Sequence, residues 1–125
     1  MLKRTIIKPY DKDKFELVED YEFSLPSFNA IIPRGFISDG ASIPRIFWCI
    51  YPPYKSEYFT ACIIHDFYCQ KARNRQDYKN ADKALKEAME DLQIDKTTIT
   101  IFYNACYVFH TCKCLIKMIK NKLDF

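Results

Sequence analysis

Apolar and polar positions change rhythm near the middle of the chain. In the N-terminal third they alternate over short runs, the period of a strand with one buried face. Thr5 to Lys8 and Phe15 to Phe23 read as strands, the second setting Phe15 and Leu17 against Glu16 and Val18, with Tyr10-Asp11-Lys12-Asp13 as the turn between them. A further extended piece, Ala30 to Ser38, contains Pro33, which calls for a sheet edge or a break. This third is expected to be a small antiparallel sheet or meander.

After Gly40 the apolar spacing becomes helical. Pro44 with RIFWCIY predicts a short helix stopped by Pro52-Pro53, and Ser56 is a candidate N-cap for a helix reaching about Gln70. Basic, polar residues from Lys71 to Arg75 interrupt the pattern. A second helix is predicted from about Gln76 to Leu92, carrying Ala81, Leu85, Ala88, Met89 and Leu92 on one side. Asp95 is placed to cap a last helix from about Thr97 to Lys120. That helix is apolar, but Asn104, His110, Lys113 and Lys117 argue for burial along most of its length within the domain over a membrane span. The whole reads as one α+β domain over residues 1–125: a small N-terminal antiparallel sheet, then a mainly helical part with an antiparallel helical hairpin.

Composition narrows the function classes. A chain of 125 residues at 49% hydrophobic can build a core without staples, and a formal charge of +3 with no solidly basic run gives no indication of nucleic-acid binding. MLKRTIIKPYDKDK lacks the apolar stretch of a secretory signal, so a cytoplasmic location is expected. The six cysteines include no CxxC pair and fall mostly among apolar neighbours, which fits reduced, buried thiols. Gly35 and Gly40, the only glycines, mark backbone positions that a side chain would obstruct.

The hairpin carries the candidate chemistry. Residues on antiparallel helices meet when their numbers sum to a constant, and a loop centred near Arg73-Asn74 sets His65 against Asp82. A carboxylate on one imidazole nitrogen fixes the tautomer and leaves the other free to take a proton from water. Asp66 points about 100° further round the helix, and Tyr68 could hydrogen-bond a carboxylate one turn on. The segment Gly35 to Pro44 is an oxygen-rich turn. Its Asp39 carboxylate and carbonyls near Gly40 suit calcium, its amide groups suit an anion, and Ser42 would serve as N-cap in a plain Asx-turn. Cys62, His65, Asp66 and Cys69 recur along one helix, as Cys106, His110 and Cys114 do along another, a spacing that can hold zinc.

GFISDGASIPRIFW, then HDFY within a helix, then NADKALKEAM, resembles a family of phage and bacterial proteins known as domain of unknown function 1353. The resemblance runs roughly from Arg34 to Met89 and rests on a GF-x-[ST]-DGAS-x-P loop, a His-Asp helix and an Ala-Asp helix. Tyr68 stands one place earlier than the tyrosine of many members. The resemblance implies a phage or prophage setting, and with it a virion-associated location as the alternative to the cytoplasm of a bacterial host. The chain is also similar, more distantly, to the phospholipase A2 superfamily. That likeness implies His65 as the base that activates water, Asp82 as its orienting partner, Asp66 as a calcium ligand, and Asp39 and Gly40 in the calcium loop. The superfamily's disulfide framework is absent. Two functional readings follow. One is a non-catalytic assembly or host-interaction module with a buried His-Asp network and a protein partner. The other is a metal-assisted hydrolase of an ester or lipid.

Overall fold

The computed structural model describes residues 2–11, 14–38 and 59–123. The chain is α+β, with antiparallel strands in two sheets followed by three helices: β1 (Ile7–Asp11), β2 (Lys14–Leu17), β3 (Tyr21–Ser24), β4 (Asn29–Ile32), β5 (Ile37–Ser38), α1 (Phe59–Lys71), α2 (Arg75–Asp91) and α3 (Lys96–Leu123). The Pro44 helix and the Ser56 cap lie outside the described residues.

The N-terminal part is antiparallel as expected, but its strands divide between two sheets. β1, β2 and β5 form one sheet in that order, and β3 pairs with β4 in another. The run Phe15 to Phe23 is split near Asp20, whose Oδ1 accepts a hydrogen bond from the Arg34 amide at 2.7 Å. The run Ala30 to Ser38 is split after Ile32 by a turn at Pro33. There Gly35 adopts φ +88° and the Phe36 amide donates back to the Pro33 carbonyl at 3.2 Å. A turn of this type requires positive φ at its third residue, which explains why glycine stands there.

α1 is the central element. Every residue from Phe59 to Phe67 is buried, and a helix buried on all sides has no polar face to spare. Aromatic side chains fix the sheets to it: Phe15 meets Phe59 edge-on at 5.1 Å, Phe36 meets Phe67 at 5.8 Å, and Phe28 meets Tyr68 at 5.3 Å. α2 is amphipathic and buries Ala81, Asp82, Ala84, Leu85, Ala88 and Met89. Its alanines let neighbouring helices come close. Asn74 caps its start, accepting from the Asp77 amide at 2.9 Å. Gln93, at φ 61°, closes its end, with the Gln93 amide bonded to Glu90 O and the Ile94 amide to Met89 O in a Schellman pattern. Asp95 then caps α3 through the Thr98 amide at 3.0 Å.

α3 departs from expectation. It is long and apolar enough to cross a membrane, yet only 22% of its most apolar window is buried, so burial does not run along most of its length. One line anchors it: Ile99, Phe102, Cys106 and His110 are buried. The same line continues as Lys113, Lys117 and Lys120, all exposed, so beyond His110 the anchoring face becomes cationic. The apolar residues of that half lie elsewhere. Ile101, Ala105, Val108, Cys112, Leu115 and Ile119 follow one another at spacings of four and three. This seam is centred roughly 140° from the anchoring line at about 100° per residue. Val108, Leu115 and Ile119 are 59%, 52% and 58% exposed.

Candidate functional site

The short connection after Lys71 turns α2 back along α1 and brings His65 and Asp82 together. His65 Nε2 lies 2.7 Å from Asp82 Oδ1, with both side chains essentially inaccessible to solvent. A second imidazole completes the arrangement. His110, from the anchoring line of α3, places Nδ1 3.0 Å from Asp82 Oδ1 and 3.2 Å from Oδ2. One carboxylate on α2 therefore accepts hydrogen bonds from histidines on α1 and α3. Sequence symmetry across the hairpin identifies the first histidine and misses the second in this role. The available signal was the position of His110 on the line Ile99, Phe102, Cys106, where a polar residue needs an internal partner.

The electrostatics assign the protons. Burial alone raises the Asp82 carboxyl, but the hydrogen bonds from His110 and His65 outweigh it and hold Asp82 below the ordinary carboxylate value. Burial lowers His65, and the attraction of Asp82 offsets this only in part. Asp82 is thus the anion and His65 a neutral imidazole that donates through Nε2. His65 Nδ1 then carries a lone pair; it is buried and has no hydrogen-bond partner among the described residues. The Tyr78 ring lies 4.5 Å from the His110 ring, tilted by 32°, and packs on it from the α2 side.

These shifts set an acid limb of stability in metal-free protein. His65 is protonated more readily unfolded than folded, so stability is complete above about pH 6.5 and falls as pH drops below it. Asp82 has its folded value depressed too, and adds a further loss below about pH 3.9. Urea unfolding at pH 7, 6 and 5 in EDTA should show decreasing stability, with the slope reduced in His65→Gln. A flat profile between pH 7 and 5 would contradict the assignment.

The other predicted residues are dispersed. Asp66 is buried on α1, and its charge reaches Cys62, whose thiol is pushed up to about 12 by burial first and by Asp66 second. Tyr68 packs among Phe23, Phe28 and Phe67, away from the expected carboxylate role. Asp39, Gly40 and Ser42 lie outside the described residues. The cysteine clusters expected along single helices are replaced by sets that span helices. Among the described residues, ligand atoms within 4.8 Å of one another come from His65, Cys69 and His110, and from His65, Asp82 and Cys106. Cys62, Asp66 and Cys114 belong to neither set. A groove of about 530 Å³ lined by Leu2, Lys3, Arg4, Tyr21 and Asp91 among others lies apart from the cluster, and none of His65, Asp82 or His110 lines it.

Fold and site together define an α+β chain in which three helices converge on one buried carboxylate held between two imidazoles. The chain belongs to the family described as protein of unknown function (DUF1353), whose sequence model matches residues 15–106. That span includes His65, Asp66, Cys69 and Asp82, while His110 lies beyond it. An uncharacterized protein of Sinorhizobium fredii, y4jT, is 41% identical over 66 residues; this covers 50% of the present chain and 20% of that protein's length. No solved structure matches. The phospholipase A2 likeness finds no support in these comparisons.

Proposed function

We propose that the protein is a non-catalytic assembly module that associates with a second copy of itself through the outward seam of α3. The observation that carries this reading is the exposure of Val108, Leu115 and Ile119 on one line at the repeat of a coiled-coil seam. Exposed apolar residues that are contiguous, unlike scattered ones, mark an interaction face. Asn104, Phe109, Thr111, Ile116 and Met118, which flank the seam, carry no charge, and Lys113, Lys117 and Lys120 fall on another face; Lys122 continues the seam only past Ile119, at the end of α3. Over the stretch from Ile101 to Ile119 two copies can therefore approach through the same patch without bringing like charges into contact, as a two-fold contact requires. In this reading the His65–Asp82–His110 network is the clasp that sets the angle of α3, and the phage or prophage setting implied by the family resemblance supplies the assembly.

Light scattering coupled to gel filtration should give a dimer mass for the wild type and a monomer mass for Leu115→Glu, with unchanged circular dichroism. A monomeric wild type at tens of micromolar would defeat the proposal. Binding of that monomer to lipid vesicles would assign the same face to a membrane.

A hydrolase remains the second reading, favoured by one observation: the buried His65 nitrogen that has no partner among the described residues. There His65 Nδ1 would take a proton from water while Asp82 orients the ring, and Asp66, with Asp39 as the phospholipase A2 likeness implies, would hold a calcium ion that supplies positive charge for an ester or lipid carbonyl. Its test is hydrolysis of ester and phospholipid substrates with calcium. Activity equal in wild type and His65→Ala removes His65 from any such reaction.

A further inference from the structure

The assembly reading leaves one part of the cluster without a purpose. Cys69, one turn beyond His65 on α1, places Sγ 3.5 Å from His65 Nε2 and 3.8 Å from His110 Nε2. We propose that His65, Cys69 and His110 bind one zinc-class divalent ion that ties α1 to α3. The three ligand atoms lie within 4.8 Å of one another. A tetrahedral zinc site, with nitrogen at about 2.0–2.1 Å and sulfur at about 2.3 Å, sets its nitrogen–sulfur edges at roughly 3.6 Å. Both observed sulfur–nitrogen separations are within a few tenths of an ångström of that edge.

The donor set selects the metal class. One thiolate and two imidazoles suit zinc or cobalt(II), whereas calcium and magnesium take oxygen. His110 turns Nε2 toward Cys69 and donates Nδ1–H to Asp82, the carboxylate–imidazole–metal arrangement that fixes the tautomer of a ligating histidine. The charges balance. A Cys69 thiolate and the Asp82 carboxylate together match a doubly positive ion, so the buried site is neutral as a whole. The protons balance too. Cys69 releases one to solvent, and His65 moves its single proton from Nε2 to Nδ1, giving up its hydrogen bond to Asp82 Oδ1 and turning the Nε2 lone pair from that oxygen to the metal. Asp82 keeps its hydrogen bonds from His110. The second set, His65, Asp82 and Cys106, is the weaker candidate, because it takes as a ligand the Asp82 carboxylate that already accepts from His110.

Cobalt(II) reports this coordination directly. Full-length protein stripped with EDTA under reducing conditions and titrated with cobalt(II) should show a thiolate-to-cobalt charge-transfer band saturating at one equivalent, together with tetrahedral visible bands. Zinc should abolish both. In Cys69→Ser, shown to be folded by circular dichroism, the charge-transfer band should be lost. X-ray absorption of the wild type loaded with zinc should give one sulfur and two imidazoles in the first shell, a measurement that needs no variant. Absence of the charge-transfer band in the wild type, its persistence in Cys69→Ser, or a zinc shell without sulfur overturns the proposal. The seam lies on another face of α3, so a monomeric protein that passes these tests would defeat the assembly reading alone.

Discussion

Asp82→Ala should lower the unfolding free energy by about 3–5 kcal/mol, the range for stripping the partner from buried, hydrogen-bonded polar groups. Asp82 is 1% exposed and is the acceptor for both imidazoles, so alanine leaves two ring N–H groups without it in a place water does not reach. His65→Ala should cost less, about 2–4 kcal/mol, because Asp82 keeps its bonds from His110. The order of the two losses matters as much as their size, since it distinguishes a shared acceptor from a simple pair. Urea denaturation at pH 7 in EDTA measures both. A loss below about 1 kcal/mol for Asp82→Ala, the scale of an ordinary surface change, would show that the network does not hold the helices together.

What the sequence made legible follows the range of the interactions involved. His65 and Asp82 were found because a short loop between helices is a local constraint: fixing its position fixes which residues face each other. His110 was not, because its approach to Asp82 depends on the angle at which α3 returns. That angle is set by the left-handed Gln93 at the end of α2, where the usual glycine signal is missing, and by the packing of Phe102. The long strand from Phe15 to Phe23 failed for a similar reason. Its alternation holds in Phe15–Leu17 and again in Tyr21–Phe23, and the two stretches part into separate sheets next to Asp20, which meets the Arg34 amide fourteen residues away. In α3 averaging over the helix hides the pattern. Total apolarity predicted burial, whereas the line that does the packing turns to lysine at Lys113 and leaves the remaining apolar residues on a different face. Phase along the helix carried the information that composition hid.

Phe102→Ala should cost about 3–5 kcal/mol, the usual range for emptying a buried phenylalanine site. It should also act on the cluster without touching it. Phe102 is 1% exposed and is the largest of the four side chains that anchor α3. Removing it weakens the seat of the helix that carries His110, so the Nδ1–Asp82 contact should loosen with it. Amide hydrogen exchange should show lost protection concentrated in α3, with α1 and the first turns of α2 little changed. The decisive measurement is the double variant. If His110 reaches Asp82 only because Phe102 seats α3, then Asp82→Ala costs less in the Phe102→Ala background than in the wild type, and the two losses sum to more than the double variant shows. Sites without coupling add within about 0.3–0.5 kcal/mol, and additivity of that quality would mean that the clasp and the anchor of α3 are independent.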